Sequence, residues 1–228
     1  MYSIYLSPST QDKNLGVRGY GTEEQRMNDI ADLMEPALKK LGITVYRNNP
    51  GMGVVESVKD SNLRKPTIHL AIHSNACNGK ARGCDVFFHK AGGQGEKFAK
   101  IIYHHLSPIT PVSDRGVHEG QNHFGPGKPL YETAYTTAPA ALVEVSFHDN
   151  VEDAAWIIDN LRHIAQALVD SVVEMLDIKP PIDTYQDDIC AVARAIGIDA
   201  EYWGRRSNID PHFKGLVHKL AEYIRKEK

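Results

Sequence analysis

Apolar and polar residues alternate along T-I-H-L-A-I-H, residues 67–73. Ile68, Leu70 and Ile72 fall on one face and Thr67, His69, Ala71 and His73 on the other, the period of a half-buried strand. Short apolar runs predict further strands in "YSIYL", halted by Pro8, and in "ITVYRN", "CDVFFHK" and "AALVEVSF". Between them a 3.6-residue period takes over. Ile30, Leu33, Met34, Ala37, Leu38 and Leu41 predict a helix starting at residue 23 and closed by Gly42, with Pro36 as a kink or break. Phe98, Ile101, Ile102 and Leu106 predict a second helix over 93–106. Ile157, Ile158, Leu161, Ile164, Ala165, Leu168 and Val172 predict one long helix over 151–176. Strands interleaved with helices predict an α/β fold, a mixed, mostly parallel twisted sheet flanked by helices.

Two stretches break this rhythm. Residues 107–138 are rich in Pro, Gly, Asn and His, centred on "HEGQNHFGPGKP", and predict a long functional loop. "DIKPPIDT" reads as a stiff linker. It sets a boundary between a domain over 1–178 and a small helical C-terminal module over 179–228, whose own small core is Tyr202, Trp203 and Phe213. So short a module is marginal alone, so it is expected to pack on the main domain or on another copy.

With 42% hydrophobic and 24% charged residues, the 228-residue chain can bury one good core. Its net charge of −3 is spread over intermixed signs, which leaves no electrostatic footprint for nucleic acid or an acidic membrane surface. The start, "MYSIYLSPST", carries no basic and apolar export signal, so synthesis in the cytoplasm without a signal peptide is expected. Cys77, Cys84 and Cys190 are odd in number and scattered, which suits reduced thiols rather than a disulfide framework or a metal knuckle.

His73 ends a strand and is followed by a polar loop, the place where open α/β sheets hold ligands. Glu23 opens a helix after the first strand. Glu144 lies inside an apolar strand, where an ionised carboxylate is costly unless paired or metal-bound. One imidazole and two acids on separate element ends meet the needs of a catalytic zinc site.

"GTEEQRMNDIADLMEPALKKLGITVYR", "LAIHSNACNGKARGCDVFF" and "APAALVEVSFHDNVEDA" together resemble the zinc-dependent N-acetylmuramoyl-L-alanine amidases of the amidase-3 family. The likeness runs in order from residue 2 to the end of the long helix. It implies a Zn2+ cofactor and hydrolysis of the amide between N-acetylmuramic acid and L-alanine in peptidoglycan, whose glycan strand and stem peptide are the binding partners. His73 corresponds to a zinc ligand, Glu23 to a second and Glu144 to the catalytic acid/base. Glu24 is the neighbour that competes with Glu23, which is preferred because it sets Ile30, Ala31, Met34 and Leu38 on the family's buried helix positions.

One departure stands out. The family's first strand usually ends Asp-Pro-Gly-His, and that histidine is a zinc ligand; this chain has Ser7-Pro8-Ser9-Thr10-Gln11. The nearest replacement in sequence is His148, provided the chain turns back after Phe147, since a regular strand would set it about 13 Å from Glu144. Gln11, Thr10, His118 and His123 are the alternatives. Two rival readings follow: a non-catalytic peptidoglycan-binding domain with an impaired metal site, and a Cys77 nucleophile with His73 as its base. The C-terminal module resembles helical segments appended to phage and clostridial enzymes, which implies wall binding or a homodimer. A wall substrate reached without an export signal implies an endolysin or autolysin that acts on the wall after release.

Overall fold

Six strands build one sheet in the order β2-β1-β3-β6-β4-β5. They are β1 (Ser3–Pro8), β2 (Thr44–Arg47), β3 (Ile68–Asn75), β4 (Asp85–Phe88), β5 (Gly116–Glu119) and β6 (Ala140–Phe147). β1 runs parallel to β2 and β3, β3 parallel to β6, and β4 parallel to β5, whereas β4 is antiparallel to β6. The sheet is mixed and mostly parallel, as the sequence predicts. Helices α1 (Glu23–Lys40), α2 (Val54–Arg64), α3 (Gln94–Leu106), α4 (Tyr131–Tyr135), α5 (Val151–Asp159) and α6 (Leu161–Met175) flank it. The computed structural model describes residues 2–112, 115–178, 192–193, 195 and 211–226. The chain divides into two compact units, Met1–Ile178 and Lys179–Lys228. In the second, α7 spans Pro211–Lys226. Tyr202, Trp203 and Cys190 lie outside the described residues, as does the side chain of Phe213.

One sheet face carries the main core. Ile4, Leu6, Ile68, Leu70, Ile72, Val86, Val143 and Val145 meet Met27, Ile30, Met34 and Leu38 of α1, Phe98 and Ile102 of α3, and Ile164, Leu168 and Val172 of α6. α1 forms because this stripe repeats at helical spacing and because its first turn is capped: Thr22 Oγ1 accepts the Gln25 N–H at 3.1 Å. Pro36 sits inside α1 without ending it. The lost hydrogen bond and ring clash cost about 3 kcal/mol, which burial of Met34 and Leu38, at about 1.5–3 kcal/mol each, outweighs.

The other face has only a small apolar cluster, Ala71, Phe87 and Leu142 with Leu130 against it. Polar side chains fill the rest. β3 is therefore buried on both faces along Ile68–Ile72, not half-buried, because it lies in the middle of the sheet.

Three elements differ from the sequence-based expectation. α2 carries its buried face on Ser57, Val58 and Ser61, so it shows no apolar stripe. The supposed loop 107–138 contains the edge strand β5 and the five-residue α4. The single long helix is two, because Asn160 closes α5 and opens α6: its N–H reaches the Trp156 and Ile157 carbonyls, and its side chain also donates to Trp156 O. Among the described residues no helix is long and apolar enough to cross a membrane.

Leu38→Ala removes a fully buried side chain and is expected to cost about 2–5 kcal/mol in urea unfolding. Leu63→Ala, at a position 79% exposed, is expected to stay within about 0.5 kcal/mol.

Candidate active site

The polar face of the sheet gathers the chemistry at the carboxyl ends of β1 and β3. Alternation along each strand sends Tyr5 and Ser7 of β1, His69 and His73 of β3, Asp85 of β4 and Glu144 of β6 to this side, opposite the main core. The register pairs His73 with Glu144 across β3 and β6, and Glu144 with Asp85 across β6 and β4. Glu144 therefore stands beside His73 although 71 positions separate them in the chain.

Glu23 reaches the same place from the first turn of α1. It is 1% exposed, and its Oε1 lies 2.8 Å from His73 Nδ1 while Oε2 accepts from Asn14 Nδ2 at 2.7 Å. The Ser74 N–H also donates to Oε1, at 3.4 Å. Sequence reasoning did not single out Glu132, on α4. Its Oε2 lies 3.3 Å from His73 Nε2, and its Oε1 is 2.5 Å from Ser7 Oγ and 3.3 Å from His69 Nε2. Both ring nitrogens of His73 thus face carboxylates.

Charge in this cluster follows from burial and pairing. Burial would lower the basicity of His73, but hydrogen bonds to Glu132 and Glu23 hold its pKa well above the ordinary imidazole value. Burial would raise Glu23 and Glu132, yet the His73 hydrogen bond on the first, and those of His69 and His73 on the second, bring both below the usual carboxylate range. Glu144 goes the other way. Burial pushes its pKa up to about 8, His73 opposes the rise, and the Glu23 and Asp85 carboxylates add to it. Its Oε2 is buried without a hydrogen-bond partner, a costly state for a carboxylate oxygen.

A cavity of about 550 Å³ opens over these groups, and Thr10, Gln11, His73, His123, Tyr131, Glu132 and Glu144 line it. The structure thus brings Glu23, His73 and Glu144 together. His148 is placed elsewhere: it is 2% exposed, its Nδ1 is 2.9 Å from Ser74 Oγ, its ring stacks on Tyr20, and it does not line the cavity. The chain does turn after Phe147, where the His148 N–H donates to the Asn75 carbonyl. Gln11 borders the cavity with its Oε1 accepting from Asn14 Nδ2, and Thr10 borders it too. His118 bonds Asp85 at 3.0 Å, and His123 packs edge-on against Phe87 and Phe124. Cys77 is exposed, and its N–H donates to Asp149 Oδ2. Among the described residues no three His, Cys, Asp or Glu side chains are already arranged around an ion position. Glu23 and Glu132 instead each hydrogen-bond His73, on opposite ring nitrogens.

The N-acetylmuramoyl-L-alanine amidase family matches residues 4–174. An uncharacterised cell wall amidase of Bacillus anthracis is 30% identical over 118 residues, which cover 46% of this chain and 21% of that protein. The N-acetylmuramoyl-L-alanine amidase LytC of Bacillus subtilis is 24% identical over 160 residues, covering 67% of this chain and 31% of that one. This chain therefore spans a third or less of the length of these curated relatives. Among solved structures, the catalytic domain of CwlV, an N-acetylmuramoyl-L-alanine amidase of Bacillus (Paenibacillus) polymyxa var. colistinus, superposes with a TM-score of 0.69 at 21% identity, over 78% of this chain and all of that domain. That likeness establishes the fold.

Glu144 binds its proton more tightly folded, at about 8, than at its ordinary value of 4.5, so in metal-free protein it costs stability as pH rises through that window. Glu144→Gln is expected to be more stable than wild type by at least about 1 kcal/mol at about pH 9, with the gap closing near about pH 4. Urea unfolding of chelator-treated protein at both pH values checks this.

Proposed function

The chain belongs to the N-acetylmuramoyl-L-alanine amidase family, and we propose that it is a zinc-dependent hydrolase that cuts the amide between N-acetylmuramic acid and L-alanine in peptidoglycan. The observation that carries this reading is the triple placement of Glu23 on His73 Nδ1 with Glu144 paired beside His73 in the sheet. An imidazole and a carboxylate are ordinary zinc donors. The buried Glu144 Oε2 without a partner marks a spot where a nearby cation would offset a desolvation cost. Glu23 and His73 are the residues that would hold the ion, with Glu144 beside them.

When bound, zinc lowers the pKa of a water towards about 7 and polarises the amide carbonyl. Glu144 accepts the proton of the attacking water and returns it to the departing amine of L-alanine. Its placement supports that role, because it lines the cavity beside His73 and no hydrogen bond ties up its Oε2. His148, held by Ser74 and Tyr20, supports the strand end behind His73 in this reading. Tyr131 borders the cavity, and its ring lies 4.5 Å from that of the exposed Tyr135, a wall suited to stacking on sugar rings. A peptidoglycan substrate makes the cell wall the site of action, the role of an endolysin or autolysin.

Zinc-loaded protein is expected to solubilise purified walls and release new L-alanine amino termini without new reducing sugar ends. Chelation is expected to abolish the release, and Glu144→Gln to lower its rate by about 10²–10⁴-fold while zinc stays bound. Wall binding without cleavage in zinc would instead make the protein a binding module, and new reducing ends would make it a glycosidase.

A further inference from the structure

An imidazole that gives one ring nitrogen to a cation carries its proton on the other, and the group accepting that proton decides which nitrogen is free. His73 has a carboxylate on each side. Glu23 Oε1 lies 2.8 Å from Nδ1, and Glu132 Oε2 lies 3.3 Å from Nε2. An ion held by one nitrogen meets only the carboxylate on that side, so the two glutamates have different tasks.

Glu132 is anchored before it reaches His73. It is 5% exposed, and its Oε1 accepts from Ser7 Oγ on β1 at 2.5 Å and lies 3.3 Å from His69 Nε2 on β3. His69 is held in turn, with Nδ1 2.9 Å from Ser61 Oγ on α2 and its ring stacked on Tyr5 at 5.3 Å. The Ser61 hydroxyl can donate to Nδ1, which leaves a His69 Nε2–H for Glu132. Contacts through Oε1 alone would tether the short α4 to the sheet. Oε2 adds an acceptor on His73 Nε2, and a carboxylate that takes the far N–H of a ligating histidine fixes its tautomer and the orientation of its ring.

We propose that Glu132 is a positioning residue, accepting the His73 Nε2–H so that Nδ1, on the Glu23 side, is the nitrogen turned to the cation. This rests on the zinc reading above, in which Glu23 and His73 hold the ion. The side chain of Glu132→Gln has one carbonyl for two places that need an acceptor. With that carbonyl on Ser7 and His69, its NH2 faces His73 Nε2 and opposes a proton there.

Nitrogen-15 NMR of the histidine rings in the full chain, with His73 assigned by its loss in His73→Gln, and zinc affinity by competition with a chromogenic chelator test this together. Zinc-loaded wild type is expected to show His73 protonated at Nε2 and without a proton at Nδ1, a readout that needs no variant. Glu132→Gln is expected to bind zinc about 10–100-fold more weakly, the usual cost of losing an orienting contact. Its His73 Nε2–H resonance is expected to move upfield as the charged acceptor is lost, which a residue acting only on the fold would not do. The metal-free urea unfolding curve of the variant verifies its fold. His73 protonated at Nδ1 with the ion on Nε2 would reverse the two glutamates, and unchanged affinity in folded Glu132→Gln would leave Glu132 a tether alone. Either result would overturn the assignment and leave zinc binding at His73 standing. Wild type that binds no zinc, or binds it equally after His73→Gln, would overturn both.

Discussion

The pairing of β3 with β6 sets everything else. Parallel register places Glu144 opposite His73, and the same register places Val143 and Val145 in the main core. Side chains alternate with period two, so a slip of one residue would turn Glu144 into the hydrophobic layer and a valine into the cavity. The core therefore enforces the site: the energy that holds Val143 and Val145 against the helices also holds a carboxylate beside an imidazole. β4 adds to this from the other side, since its antiparallel pairing with β6 brings Asp85 opposite the same glutamate.

That arrangement concentrates negative charge. Glu23, Glu132 and Glu144 surround one imidazole in a largely desolvated place. Two of the three are satisfied by their anchors, Asn14 for Glu23 and Ser7 with His69 for Glu132, and the third keeps an oxygen without a partner. The anchors come from β1, β3 and the irregular segment before α1, three separate parts of the chain. Such a cluster favours a positive charge at its centre. A proton on His73 supplies it without metal, and a divalent cation supplies it more fully. The unpartnered oxygen is a local liability of the kind that functional sites retain because the chemistry needs it.

Much of this was legible in the residues. The strands show as short apolar runs, and Glu23, His73 and Glu144 stood out because an acid at a helix start, a histidine at a strand end and an acid in an apolar strand each break a local pattern. What was not legible had physical causes. α2 hides its buried face behind Ser57 and Ser61, which bond Asn48 and His69 instead of presenting an apolar stripe. Asn160 splits a continuous apolar period through backbone bonding that periodicity does not report. Glu132 sits among aromatic residues in a Pro- and Gly-rich stretch, and only the tertiary contact of α4 with Ser7 and His69 gives it meaning. His148 is near the site in sequence, but the turn after Phe147 carries it to Ser74 and Tyr20.

The most direct measurement is an anomalous-difference map at the zinc edge from crystals of the zinc-loaded protein. One peak in the cavity at about 2.0–2.2 Å from a Glu23 oxygen and a His73 nitrogen, with Glu144 nearby but unbound, is the expected result. A zinc-saturated crystal with no peak there, or with the ion held by other side chains, would contradict the placement of the reaction at the junction of β3 and β6.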